Sequence, residues 1–241
     1  MKHDHQIALN TQRATSASGV SDVDAGLRDY MLRIYNYMSG GLAVTGAMAF
    51  AVSTSETAMQ MIFGTGLVWI VMLSPLAFVL ALTFGINRMS ASVAQTVFWA
   101  FSAVMGLSLA SIFITYTGAS ITRVFFITSG TFAAMSLYGY TTKRDLTGLG
   151  SFMFMGLIGI IIASVVNMFL QSTVMHFVIS VLGVLVFVGL TAYDTQKIKN
   201  LYQMADDAET ATKKSVMGAL TLYLDFINLF LILLRLFGQR R

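Results

Sequence analysis

The chain has no cysteine, a single proline and little charge, with only 11% of its 241 residues being Asp, Glu, Lys or Arg. Without cysteine there are no disulfides, no thiolate metal site and no thiol nucleophile. Only 3 histidines are present, two of them in the first five residues, so a His-rich metal site is not available. Soluble domains carry about a quarter charged residues, and the mean hydropathy here is +0.74. These values exclude a disordered chain and argue against a soluble domain. No Walker loop, dinucleotide fingerprint or Gly-x-Ser-x-Gly elbow occurs, so an energised pump or a cofactor enzyme has no support and no enzymatic activity is expected. What is abundant is apolar: 56% of residues are hydrophobic, with 16 Met and 18 Phe. The working class is a polytopic membrane protein. In so apolar a chain, a net charge of +4 and a pI of about 9.4 reflect basic residues flanking spans, not nucleic-acid binding.

Residues 1–29 are polar, contain no apolar run and read as a mobile cytoplasmic tail rather than a signal peptide. Residues 30–241 read as one transmembrane domain. A span needs about 20 mostly apolar residues. Runs of that kind lie near Ile34–Ser53, Met61–Phe84, Ser92–Tyr116, Ile121–Tyr140, Leu149–Leu170, Val174–Tyr193 and Val216–Phe237. Leu157–Val166 and Val181–Leu190 are nearly continuous apolar blocks without the alternation of a membrane barrel, so the runs are helices. The expectation is an all-α bundle of seven transmembrane helices, with a bend at Pro75 in the second. With the N-terminus inside, Lys2, Arg13, Arg28, Arg33, Arg88, Lys143, Arg144, Lys197, Lys199, Lys213 and Lys214 face the cytoplasm. Only Arg123, Arg235, Arg240 and Arg241 then lie outside. The positive-inside bias favours this orientation, while the basic C-terminal end would return to the cytosol if the last helix were re-entrant.

Asp225 stands well inside the last apolar run, where a carboxylate must face protein or water. At about 100° per residue, Gly218, Thr221, Asn228, Ile232 and Arg235 share its face. That polar stripe, with Thr221 and Asn228 as the supporting groups, should point at the bundle interior. Asp194 ends the sixth run, near its inner end. Both acids fall in the same half of the membrane and are able to meet. Two carboxylates in a water-poor site share one proton rather than both ionise. Losing that proton makes them repel, which would be a proton-controlled latch. The bland alternative is that Asp194 caps a helix end and Asp225 bonds to a neighbouring helix. Among other polar groups, Asn167 and His176 read as helix-to-helix or interfacial bonds, and Arg123 snorkels. Glu56, Asp206, Asp207 and Glu209 read as solvated loop residues.

The segments Gly189-Leu-Thr-Ala-Tyr-Asp-Thr-Gln-Lys-Ile-Lys199 and Ala219-Leu-Thr-Leu-Tyr-Leu-Asp-Phe-Ile-Asn-Leu-Phe230 resemble the Bax inhibitor-1, or transmembrane Bax inhibitor motif, family. The likeness extends more loosely over the whole span layout from about Asp29. It implies a seven-helix bundle with the last helix near the centre. It also implies a pH-sensitive passive calcium leak in the inner membrane, without a cofactor and with calcium as the transported ion. The positions matching the family's gating pair are Asp194 and Asp225, which would be pH sensor, ion path and a weak calcium contact rather than a tight metal site. Arg88 matches by place an Arg that joins the latch in bacterial relatives, although Asn87 and Met89 differ from the more basic run found there. The resemblance offers an alternative as well: some bacterial relatives restrain a membrane-anchored ATP-dependent protease, for which the polar tail would be the handle. A third reading, an intramembrane acid protease, lacks the Gly-Leu-Gly-Asp pattern at Asp225.

Overall fold

The computed structural model describes residues 2–241, with side chains from Ala25 onward. The tail expected over residues 1–29 lies, up to residue 24, outside the described side chains. Nine helices follow one another among the described residues: α1 Lys2–Ser53, α2 Glu56–Phe63, α3 Leu67–Gly85, α4 Ala91–Leu109, α5 Ile112–Thr115, α6 Gly118–Thr141, α7 Thr147–Leu170, α8 Thr173–Asn200 and α9 Ala208–Phe237. Among the described residues there is no strand, only an antiparallel bridge between Tyr116 and Arg240.

Among the described residues, five helical stretches are long and apolar enough to cross a membrane: Leu67–Arg88, Ala91–Thr115, Thr147–Leu170, Thr173–Asn200 and Ala208–Phe237. Trp69, Phe84 and Phe169 are among many large apolar side chains left exposed on their outer faces. Such a surface suits a hydrocarbon solvent and is foreign to a soluble monomer.

Small polar residues start the helices. Ser90, Thr117, Ser172 and Asp207 are N-caps whose side chains accept from the backbone N–H three residues on, filling a donor that the first turn leaves unpaired. Asn167 closes the other end of α7. Its Oδ1 accepts from Ser172 N at 3.0 Å, across Gln171 in the left-handed conformation at φ 50°. Asn167 thus serves a turn rather than a neighbouring helix.

The apolar runs lie on helices, with two corrections. The second run is split: Gly64–Gly66 separates α2 from α3, and Glu56 stands in the first turn of α2 rather than in a loop. The break expected over Asp194–Ser215 is a loop of residues 201–207 only. Helix α8 continues past Asp194 because its polar residues find protein partners. Gln196 accepts from Leu146 N and donates to Arg144 O, and Lys199 Nζ donates to Tyr140 O at 2.8 Å. Lys197 and Lys199 in its last turn also suit the negative end of the helix dipole. The acids expected to be merely solvated have local work. Asp206 pairs with Lys214 at 2.7 Å, Glu209 with Lys213 at 2.8 Å, and Asp207 caps α9.

Pro75 lies within α3, which continues on both sides of it. Proline has no N–H, so the carbonyl of Val71, four residues earlier, loses its helical donor. Ser108 Oγ of α4 donates to that oxygen at 2.6 Å, and Ser74 Oγ donates at 3.0 Å. A neighbouring helix thus supplies the bond that proline removed, as the lipid interior requires.

Helix α9 is the centre. Of its most apolar stretch 67% is buried, against 6% for α7, and α1, α3, α4, α6 and α8 pack around it. Tyr223 is fully buried between Phe98 and Phe101, the latter ring 5.1 Å away. Its hydroxyl meets Thr45 Oγ1 at 2.6 Å, tying α9 to α1. Helices α6 and α8 approach so closely that a Cβ on Gly139 would run into the Ala192 carbonyl oxygen, a use of small residues general to membrane helices. The end of α9 is pinned as well: Gln239 N donates to Ser120 Oγ and Arg241 N to Thr115 O. Helix α7 leans on α8 at the edge.

Candidate functional site

Asp194 comes from the middle of a turn of α8 and Asp225 from the middle of α9. Their carboxyl groups face each other across the two helices, near enough to interact. Asp225 is 6% exposed, and its Oδ2 finds no N–H or hydroxyl donor among the described residues. Two carboxylates both accept, so a hydrogen bond between them would need a proton. The two acids are neighbours, Asp194 half-buried and Asp225 buried.

The charge and the proton are not placed evenly. Lys197, one turn after Asp194 on α8, is the cation whose field acts on Asp194. Its Nζ lies 5.9 Å from the centroid of the Tyr193 ring. A negative charge on Asp194 would thus have a cation beside it, whereas Asp225 is the more deeply buried acid. Arg88 does not take part. It is exposed in the turn after α3, and among the described residues it makes no ion pair. Its neighbour Asn87 comes nearer and lines a cavity with Asp194.

Two cavities meet at the pair. The larger, of about 1380 Å³, is a groove between α7, α8 and α9. Thr221, Asp225, Asn228, Ile232 and Arg235 line it from α9, so the polar stripe expected on this helix faces the groove. Its far end holds Asn167 and His176. From Thr221 to Arg235 the helix rises by about 21 Å, most of the thickness of a hydrocarbon core. The smaller cavity, of about 430 Å³, opens among α3, α8 and α9 beside Lys213 and Lys214. Asp194, Lys197 and Thr221 line both, so they form the partition between them. Among the described residues no group of three or more His, Cys, Asp or Glu side chains is arranged to hold a metal ion.

Sequence reasoning missed three parts of this site. Lys197 read only as a cytoplasmic charge, although its spacing of three from Asp194 was a usable signal. A hydroxyl chain, Tyr35 Oη to Ser136 Oγ at 2.6 Å and Ser136 Oγ to Thr195 Oγ1 at 3.0 Å, clamps α1, α6 and α8 beside the pair. Nothing in the sequence marks it. The cavity below Asp194 depends on α3, which lies far away in the chain.

An all-helical, multi-pass membrane protein with two neighbouring acids between its last two helices is the class that fold and site define. The family model described as "Inhibitor of apoptosis-promoting Bax1" matches residues 27–241, and the chain belongs to that family. It is 50% identical over 221 residues to the inner membrane protein YbhL of Escherichia coli strain K12, covering 90% of this chain and 94% of the relative. It is 49% identical over 231 residues to the uncharacterized protein RP147 of Rickettsia prowazekii, covering 96% and 98%. An uncharacterized membrane protein of Streptococcus pyogenes serotype M6 is 36% identical over 225 residues, covering 90% and 95%.

Proposed function

We propose that this chain is a passive, proton-gated cation leak of the inner membrane, with calcium as the ion and the Asp194–Asp225 pair as its gate. The observation that carries the reading is the buried contact between two acids at the partition of two cavities. With one proton shared, the contact is a charge-assisted hydrogen bond that holds α8 to α9 and blocks the passage. Such bonds are roughly twice as strong as neutral ones. A second proton weakens the bond to a neutral one, and loss of the only proton replaces it with repulsion. The gate is therefore tightest in the singly protonated state. Two carboxylates are too few for tight calcium binding, which suits an ion that must leave again.

In this reading α1 and α6 join the five long apolar helices as sixth and seventh spans, and the N-terminus lies in the cytoplasm. The Lys197, Lys213 and Lys214 cavity is then the cytoplasmic vestibule, and Arg235 with His176 stands at the opposite mouth. Inner-membrane residence is supported by YbhL. The test is calcium flux into proteoliposomes across a pH series. The reading requires a pH-dependent flux that Asp225→Asn alters. If that variant keeps both the flux and its pH profile, the acid pair is no gate.

A further inference from the structure

A third cavity, of about 920 Å³, lies on another side of the bundle, between α1 and α6, with Phe226 of α9 as its floor. Tyr35 and Ser136 join the two helices by one hydrogen bond, and that contact sets an antiparallel register. Eleven residues further along α1, Gly46 lies level with Phe125 of α6; seven residues back, Arg28 lies level with Lys143. Small residues in membrane helices ordinarily let two helices touch. Here they do not: a Cβ on Gly46 would meet nothing within 4 Å. Gly46 lines the cavity with Ala43, Ala47 and Ala133. The space they leave is long and narrow, running about 27 Å from Arg28 to Gly46 at the helical rise, close to the depth of the hydrocarbon core.

The two ends of this slot differ. Apart from the hydroxyls of Ser39, Ser129 and Tyr35, its length is apolar, and among the described residues no acidic side chain lines it. Cations gather at one end. Arg28 lines the slot beside Tyr140, whose carbonyl is held by Lys199 Nζ at 2.8 Å. Lys143 and Arg144 follow directly after α6. A ligand that fits must be a thin hydrocarbon chain with an anionic head at the Arg28 end.

We propose that the α1/α6 slot binds one acidic phospholipid, with an acyl chain laid along Ala43, Gly46 and Ala133 and its phosphate at Arg28. The test uses the purified full chain in detergent, titrated with phosphatidylglycerol or with phosphatidylcholine, and counts bound lipid by native mass spectrometry. One phosphatidylglycerol should persist at detergent levels that strip phosphatidylcholine. Arg28→Gln should weaken phosphatidylglycerol retention about fivefold and leave phosphatidylcholine unchanged. Gly46→Phe should fill the slot and abolish retention of both lipids. Ala43→Phe is a second filling variant, and the Tm of each variant reports whether it folds. The exposed Arg28 can be replaced without disturbing the core, so its variant decides the matter even if both Phe variants misfold. Retention that survives slot filling, or that ignores Arg28→Gln, overturns the proposal. So does a disulfide-linked dimer through Ala47→Cys, the only thiol such a chain would contain, since it would make a second copy the occupant.

Discussion

On the proposed gating, replacing Asp225 by Asn removes the shared proton while keeping the shape of the side chain. In the wild type the carboxyl pair has three states. The singly protonated pair is a hydrogen bond to a charged group, worth about 1.5–3 kcal/mol net, against about 0.5–1.5 kcal/mol for a neutral one. Adding the second proton thus weakens the latch by about 1.4 kcal/mol, or about tenfold in the open population. Removing the only proton sets two charges against each other. At about 4 Å and an effective dielectric near 20 their repulsion is about 4 kcal/mol, enough to move the equilibrium by about a thousandfold. Calcium flux in proteoliposomes should pass through a minimum as pH rises and climb more steeply on the alkaline side. In Asp225→Asn the amide donates permanently to Asp194, whose charge Lys197 still supports. That latch has no proton to lose, so flux should stay low and flat across the alkaline limb. Asp194→Asn should behave differently: it leaves the charge on the more deeply buried Asp225, and should lower protein stability as well as disturb gating. The measurement is the initial rate of dye-reported calcium entry at each pH, with protein content matched. An alkaline limb in Asp225→Asn as steep as in the wild type would refute the reasoning.

Other predictions concern the frame that holds this pair. Ser108→Ala should cost about 1 kcal/mol, because Val71 O loses its shorter donor; Pro75→Ala restores the helical N–H, so in that background the same substitution should be silent in a double-mutant cycle of unfolding free energies. Gly139→Ala drives a Cβ into the Ala192 carbonyl and should destabilise by about 1–3 kcal/mol, while Gly159→Ala, with nothing within 4 Å, should not lower Tm in detergent; equal Tm values for both would count against the close α6–α8 approach. Asp207 has its carboxyl held below the usual range by the Thr210 side chain first and the Thr210 backbone N–H second. Its depressed folded value means that it stabilises above the ordinary Asp value of about 3.9, and that this help fades as pH falls through the lower folded value. Asp207→Ala should therefore lower Tm at neutral pH, and the gap to wild type should close only below about pH 4.

The spans were legible because a lipid solvent leaves the chain few choices. Every backbone group must bond within its own segment, so twenty apolar residues such as Leu149–Leu170 can only be helix. The polar stripe of α9 was legible for a similar reason, since an acid in such a run must face something other than lipid. Lateral order was not legible. Whether α1 touches α6, or leaves a slot at Gly46, depends on side chains a hundred residues apart, and a glycine reads the same in both cases. The polar breaks misled for a related reason. Thr195, Gln196 and Lys199 looked like a loop because polarity was taken to mean water, yet each bonds to protein. The helix they extend carries Asp194 a turn and a half away from its end, into contact with α9. Had α8 stopped where its hydropathy stops, Asp194 would sit on a frayed terminus in water, where a proton is shared with solvent and not with Asp225. The polar extension of α8 is thus what makes neighbours of the two acids. Changes at Gln196 or Lys199 should accordingly loosen the gate without touching either carboxyl group.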